Sequence, residues 1–416
     1  MILVRGVHFA MSLLAGGTIS FATVVAEPAA RGLSEHQPEL GALRQRLNRL
    51  LWCALAGAVA SGAIWITLLA AGILGTTVSD AVLHGGAATV LTETRFGQVF
   101  ILRAGLALVL ALLLRWPRTR WLQLAAAGGF VAALALTGHA GATPGAAGNL
   151  HLTSDVLHLL AAGAWLGGLP ALAILLAGIG NTSGHVFINR AVARFSWLGI
   201  VSVGTLVATG IVNSYFLLSS IDDLVATDYG RLLFLKIGLF IAMLAVAAVN
   251  KFHLTPKLAA PRAVRALQRN TLAETALGIG VLLLVAALGN MAPAAHRHTP
   301  PPDIPPDAAF VHIHSSEAMA DVTVNPGRAG PTRITVRVLR EDFSEFPAQA
   351  VRLVLDPPAP TTKAVERAAI DMPDGTWQVD ALDLGMPGIW TIRVVITPAA
   401  GPPIVLDAPI VIDRRM

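Results

Sequence analysis

The sequence predicts a polytopic all-α membrane bundle of about eight transmembrane helices followed by a small all-β sandwich domain. Of its 416 residues, 54% are hydrophobic and only 13% are charged, whereas soluble globular proteins carry about 25% charged residues. The apolar residues form long blocks up to Met291, and short β-rich segments follow from Phe310. We therefore expect a membrane domain at 1–291 and a second domain of a different class.

Each apolar block is long enough to cross a bilayer, which takes about 20 predominantly apolar residues. Glycine and alanine are frequent in these blocks, and small residues allow membrane helices to pack closely. The eight predicted spans are 2–26, 51–74, 97–115, 121–138, 154–177, 194–218, 231–250 and 271–291.

The first block also has features of a secretory signal peptide. Arg5 precedes an apolar stretch, and Val24-Val25-Ala26 resembles a cleavage site. Loop 27–50, however, carries four arginines, which favour the cytoplasmic side. We therefore predict that the first block is retained as a helix.

The positive charge follows the loops and predicts an orientation in the membrane. Alternate loops carry fourteen cationic residues, while the opposite set carries only Arg95. Cationic loops remain in the cytoplasm, so both termini and the loop 139–153 should lie in the periplasm of a bacterial inner membrane. The net charge of +5 arises from loops between apolar blocks and therefore indicates membrane orientation. We predict no nucleic-acid partner.

The chain after Met291 changes in composition. Residues 292–307 form a proline-rich linker. Six or seven short strands in 308–416 predict a periplasmic β-sandwich. The expected strands include 320–324, 333–339, 351–355, 377–382, 389–396 and 404–412.

Histidines concentrate on the predicted outer side and suggest a metal site. His151, Asp155 and His158 follow the spacing i, i+4, i+7, which places them on one helix face with Trp165. His139 ends the preceding span on the same side. Imidazole and carboxylate groups in this arrangement are reasonable metal ligands.

Two weaker candidates combine histidine with other features. His8 and Met11 are one turn apart, and an imidazole with a thioether suits copper. His312 and His314 form an H-x-H pattern on one face of a predicted strand, although two surface histidines on a strand are common. The single Cys53 excludes an internal disulfide and paired-cysteine metal sites.

Other polar residues have ordinary interpretations. An isolated histidine at a helix end is usually hydrogen-bonded or interfacial, the interpretation kept for His84, His296 and His298. Lys251 is expected to extend toward the interface, and Glu274, at the start of the last span, to pair with a nearby arginine or lysine.

The membrane region resembles the copper-resistance CopD family. The resemblance covers about residues 1–290 and is most specific in H-L-T-S-D-V-L-H-L-L-A-A-G-A-W-L-G-G-L. T-R-F-G-Q-V-F-I-L-R, D-Y-G-R-L-L-F-L-K-I-G-L and A-V-N-K also fit. The tail, with A-D-V-T-V-N-P-G-R-A-G-P, resembles small β-sandwich domains of the FixH/YtkA-like type.

The resemblance implies copper ion as cargo, moved from periplasm to cytoplasm or supplied to copper enzymes. His139, His151, Asp155 and His158 would be its ligands. Some relatives carry a CopC-like domain before the membrane core, whereas this chain starts with the first helix; a separate periplasmic carrier of CopC type is then a possible partner.

Three functions remain open: copper transport or delivery, a b-type haem electron carrier, and a non-catalytic membrane scaffold. The absence of a nucleophile–base arrangement and of a phosphate-binding glycine loop argues against an enzyme. Histidines within the spans all lie near one predicted surface, which would suit only a single haem.

Overall fold

A computed structural model divides the chain into two compact units, Met1–Arg297 and His298–Met416. It describes residues 1–33, 37–74, 77–83, 85–138, 145–178, 185–217, 223–289, 291, 304–305, 307–315, 317–340, 344–358 and 364–413. The predicted linker 292–307 falls largely outside these ranges, so its bounds stay a prediction.

The first unit is helical and confirms the predicted membrane class. Eight helical segments of the described chain are long and apolar enough to cross a membrane. They are Ile2–Ala29, Glu39–Gly72, Phe96–Leu113, Arg120–Thr137, Gly148–Gly178, His185–Leu217, Asp228–Lys257 and Pro261–Leu288. The chain is therefore a multi-pass membrane protein.

Several helices extend well beyond the predicted apolar blocks, because their polar ends continue the helix outside the apolar stretch. The α-helices are α1 Ile2–Ser20, α2 Glu27–Ala29, α3 Gln37–Leu74, α4 Val78–Leu83, α5 Gly86–Glu93, α6 Arg95–Leu113, α7 Arg120–Ala132, α8 Gly145–Trp165, α9 Leu169–Gly178, α10 His185–Leu217, α11 Asp223–Ala226, α12 Asp228–Val249 and α13 Pro261–Leu288.

Helix α1 lies in the interior of the bundle. It packs against α3, α7, α8 and α13, and a π-helical segment, Phe21–Ala26, joins it to α2 without a break. Phe21, Val25 and Ala29 are fully buried along this continuous segment.

A close contact between glycines fixes α8 beside α1. A Cβ on Gly17 of α1 would lie 2.1 Å from the carbonyl carbon of Gly167, and one on Gly167 would lie 2.0 Å from the carbonyl oxygen of Leu13. No larger side chain fits at either position, so these glycines allow the backbones to touch. This contact lies at the end of the helix that carries His151, Asp155 and His158.

The second unit consists of two antiparallel sheets, as predicted. One has the strand order β1-β2-β3-β7-β6 and the other β5-β4-β8-β9. The described residues form nine strands rather than six or seven, because β5 and β6 are too short to show in the sequence pattern. The strands are β1 Ala309–His314, β2 Met319–Asn325, β3 Gly330–Leu339, β4 Ala348–Asp356, β5 Val365–Ala368, β6 Ile370–Asp371, β7 Trp377–Leu384, β8 Gly388–Pro398 and β9 Ile404–Ile412.

The core of this unit follows strand alternation. Along β8, Trp390, Ile392, Val394 and Ile396 are buried while their neighbours are more exposed. Alternating burial of this kind is expected where one face of a sheet covers a core.

Candidate metal site

The polar face of α8 packs against α10. His151 stacks on Phe216, with ring centroids 4.7 Å apart, and Asp155 accepts from Asn213 at 3.4 Å. One turn further, His158 contacts Thr209. The three side chains of the i, i+4, i+7 pattern therefore meet the same neighbouring helix.

The contact with Thr209 determines which nitrogen of His158 carries the proton. The Thr209 hydroxyl donates to the carbonyl oxygen of Thr205 at 2.6 Å, so its oxygen is left to accept from His158 Nδ1–H at 2.9 Å. Nε2 is then unprotonated, and no described residue hydrogen-bonds to it. A histidine oriented through one nitrogen, with a lone pair on the other, has the usual form of a metal ligand.

Asp155 lies one turn from His158 and is surrounded by groups from three other segments. Asn213 donates to Oδ1, and a Cβ on Gly138 would lie 3.8 Å from Oδ2. Lys236 of α12 interacts electrostatically with both Asp155 and His158. The carboxylate therefore lies where the C-terminal part of α10, the N-terminal part of α12 and the chain just before His139 converge.

The candidate ligands are spread along the α8 face. His151 and His158 are two turns apart, about 10 Å along the helix axis. Among the described residues, no group of three or more His, Cys, Asp or Glu side chains is placed to hold a metal ion. His139 and His84 lie outside the described residues, as do His296 and His298, so the four-residue cluster stays a prediction.

His8 is placed in a buried network rather than at an open position. Its Nδ1 is 2.9 Å from the carbonyl oxygen of Ala58 and 3.3 Å from Ser61 Oγ, and its Nε2 is 3.1 Å from Nη2 of Arg103. Nδ1–H therefore donates to the carbonyl, and Nε2 accepts from the guanidinium. Both nitrogens of His8 are therefore engaged in hydrogen bonds.

Met11 lies toward α3. A Cβ on Gly57 would be 3.1 Å from the Met11 sulfur. The thioether therefore packs against a helix backbone, the core role that the sequence also allowed. The proposed copper ligation by His8 and Met11 is not tested by this arrangement and stays a prediction.

The H-x-H pattern lies on β1. His312 is opposite Asp321 of β2, and its Nδ1 is 2.5 Å from Asp321 Oδ1. The side chain of His314 lies outside what the structure describes. Metal binding by His312 and His314 stays a prediction, with Asp321 added as the carboxylate that orients His312.

Two cations inside the spans were missed in the sequence analysis. Lys236 lies in α12 beside the α8 site, and Arg103 of α6 is only 2% exposed. Arg103 donates to the carbonyl oxygen of Phe130, to Ser12 Oγ at 2.8 Å and to His8. The signal was available, because an ionisable residue within an apolar span is rare and usually has a specific partner.

A second polar cluster lies at the opposite ends of α10 and α12. Asn250 donates to Glu274 Oε1 at 2.5 Å and accepts from Asn270 at 2.8 Å. Both Asn250 and Glu274 line a cavity of about 330 Å³, together with Trp165 and Lys251. Trp165 is two turns beyond His158 on α8, so it separates the two polar clusters.

This cluster corrects the expectation for Glu274. Glu274 lies in the middle of α13, is 2% exposed and pairs with Asn250, not with an arginine or lysine. It was misplaced because the apolar block starts at 271, whereas the helix starts ten residues earlier. Lys251 donates to Ser196 Oγ at 3.1 Å and lines the cavity, and its extension toward the interface stays a prediction.

Comparisons with known proteins converge on one family. A family model for copper resistance protein D matches residues 189–288, and one for the copper resistance protein D-like N-terminal domain matches residues 1–149. Both matches lie within the helical unit. No solved structure matches the chain.

Individual relatives match the same region. Copper resistance protein D of Pseudomonas syringae pv. tomato is 31% identical over 229 residues, 51% of this chain and 73% of that protein. The inner membrane protein YebZ of Escherichia coli strain K12 is 31% identical over 227 residues, 53% of this chain and 77% of that protein. Copper transport protein CutJ of Bacillus subtilis strain 168 is 30% identical over 260 residues, 60% of this chain and 45% of that protein.

Proposed function

We propose a copper function for this chain, which belongs to the copper resistance protein D family. In this proposal the chain binds copper ion at Asp155 and His158 and transports or delivers it. The observation that carries the proposal is the hydrogen bond from His158 Nδ1 to Thr209, which leaves Nε2 available beside a carboxylate. Relatives are named for copper resistance and copper transport.

Copper would be captured by one imidazole and one carboxylate from adjacent turns of α8. His139 would complete the site, since its chain neighbour Gly138 lies beside Asp155 Oδ2. His151, two turns from His158, would act earlier, as an entry ligand. In the orientation inferred from the loop charges, this site faces the periplasm, where a CopC-type carrier would supply the ion.

Lys236 would regulate occupancy of the site. Its ammonium would balance the charge of Asp155 when no copper is bound and would repel a copper ion. Capture would therefore have to overcome this repulsion. The nearby cation would lower the affinity of the site for copper, and a lower affinity suits passage of the ion better than permanent retention.

The cavity with Glu274 and Asn250 would be the exit. It lies two turns of α8 beyond His158 and at the other ends of α10 and α12. Trp165, 4% exposed, lies between them. An ion moving from one cluster to the other would pass this ring, so Trp165 is the expected barrier.

The test is copper content and uptake of the purified full chain. Wild type and the variants Asp155→Asn and His158→Gln are loaded with Cu(I) or Cu(II) in separate experiments, dialysed and analysed for metal. The same proteins are then reconstituted in liposomes and assayed for copper uptake. We expect bound copper and uptake for wild type and loss of both for the two variants.

The matched control is His253→Gln, which changes a histidine at the other end of the bundle, in the segment Asn250–Leu254. It should retain wild-type copper. Equal copper in wild type and His158→Gln would contradict the proposal. A Soret band in the purified protein that disappears in His158→Gln would instead support the haem alternative.

A further inference from the structure

A cleft lined by arginines lies at the end of the bundle where α1 continues into α2. It has a volume of about 910 Å³ and runs between this segment and the first turns of α10. Its lining residues are Val24, Pro28, Arg31, Arg190, Ala193, Arg194, Trp197, Leu198 and Val201.

The lining of this cleft is basic, and two of its arginines have no acidic partner among the described residues. Three of its nine lining residues are arginines and none is acidic. Arg190 donates to the carbonyl oxygen of Arg31 at 3.0 Å, whereas the guanidinium groups of Arg31 and Arg194 contact no acceptor in the described part of the chain. The adjacent carboxylate, Glu27, receives two bonds of 2.6 Å from Arg44 and is already neutralised.

The remaining wall of the cleft is apolar. Val24, Leu198 and Val201 continue from the arginines toward the apolar part of α10. Trp197 is 67% exposed, and tryptophan together with arginine is typical of the level of lipid head groups. A ligand that fits this cleft has an anionic head and an apolar body.

We infer that the cleft binds the phosphate group of an anionic phospholipid, with an acyl chain along Val24, Leu198 and Val201. Basic pockets between transmembrane helices bind such head groups. Guanidinium groups suit phosphate oxygens because they donate two parallel hydrogen bonds. This lipid would connect α1, the helix that packs against α8, to α10, the helix whose Thr209 contacts His158, but the inference does not depend on copper binding.

The experiment measures lipid retained by the full chain. The protein is purified in mild detergent, equilibrated with equal amounts of phosphatidylglycerol and phosphatidylcholine, and analysed by native mass spectrometry. Wild type should retain at least one phosphatidylglycerol in preference to phosphatidylcholine. In Arg31→Gln/Arg194→Gln this preference should fall by about tenfold, while Arg190 is left unchanged to keep its bond to the backbone.

The matched control is Arg118→Gln/Arg120→Gln, at the connection of α6 to the start of α7. It removes the same charge from residues that do not line the cleft and should keep the preference. Equal loss in both double variants would overturn the inference, because general surface charge would then explain the binding. Displacement of the lipid by millimolar inorganic phosphate would also overturn it, since the site would then recognise a free anion.

Folding is checked separately, by thermal unfolding of both double variants without added lipid. We expect similar midpoints, and phosphatidylglycerol should raise the midpoint of wild type and of the control but not of Arg31→Gln/Arg194→Gln. A rise of the same size in all three proteins would contradict a lipid site at the cleft.

Discussion

His158 and His8, on neighbouring helices, have the same tautomer but differ in the partner of the second ring nitrogen. Each donates from Nδ1 to an oxygen of another helix, Thr209 Oγ1 for His158 and the carbonyl of Ala58 for His8. The difference is at Nε2, which accepts from Arg103 in His8 and has no described partner in His158. The second nitrogen of His158, with no partner among the described residues, makes it the stronger candidate ligand of the two.

The side chains that surround the rings of His8 and His158 also differ. His8 is 3% exposed and lies among Trp65 and Phe100, whose ring centroids are 5.6 and 5.5 Å from its own. His158 lies one turn from Asp155 and interacts electrostatically with Lys236. The His8 network thus joins α1, α3 and α6 inside the bundle, whereas His158 is the ligand that we propose for copper.

The largest expected effect is on copper binding. Replacing His158 with alanine removes a direct ligand, so we expect the affinity for copper to fall by about 100-fold or more, beyond the 10- to 100-fold typical of outer-shell changes. The measurement is competition with a copper chelator. His8→Ala serves as the counterpart and should change this affinity by less than about twofold; a large loss in His8→Ala would contradict the assigned difference.

The next effect is on stability. His8→Ala removes one acceptor of Arg103 Nη2, which keeps Ser12, and one donor to the carbonyl of Ala58, which keeps Ser61, and it opens a cavity between Trp65 and Phe100. We expect a loss of about 2–4 kcal/mol, measured as a lower midpoint of thermal unfolding in detergent. If His158→Ala lowered the midpoint more than His8→Ala does, the assignment of His8 as the structural residue would be wrong.

A smaller effect on affinity should come from Thr209. Thr209→Val removes the acceptor that fixes Nδ1–H of His158, so Nε2 is no longer held as the unprotonated nitrogen. We expect a loss of about tenfold in copper affinity. Thr209→Ser keeps the hydroxyl and should bind copper like wild type. Equal affinities for the valine and serine variants would show that this hydrogen bond does not affect copper binding.

The smallest effect should come from Ser12. Ser12→Ala removes one acceptor of Arg103 while the carbonyl of Phe130 and His8 remain. A loss of about 1 kcal/mol in stability is expected, with unchanged copper affinity. Thermal unfolding and chelator competition on the same sample separate the two effects.

Much of the architecture could be predicted because it depends on local patterns. Apolar blocks of sufficient length predicted eight spans, and strand alternation predicted the sandwich. The i, i+4, i+7 spacing correctly placed His151, Asp155 and His158 against one neighbour. Helix ends were less predictable, because α13 starts at Pro261 with a polar turn outside the apolar block.

The partners of the candidate residues could not be predicted. Lys236 is 81 positions from Asp155 in the sequence, and nothing local to either residue indicates their proximity. Glu274 was assigned to a cation, whereas Asn250 is its partner. For His312, strand alternation gave the face, but only the pairing of β1 with β2 brought Asp321 opposite it.

The sequence by itself determined the class of the protein, the number of spans and the helix face that carries the candidate ligands, because hydrophobicity and helical periodicity act over one segment at a time. Only the tertiary structure decided which nitrogen of each histidine is hydrogen-bonded. The partners that set this, Thr209 for His158 and Arg103 for His8, lie 51 and 95 residues away in the chain. A lone pair on Nε2 is available or engaged according to which helix packs against it, and that packing is a property of the whole bundle.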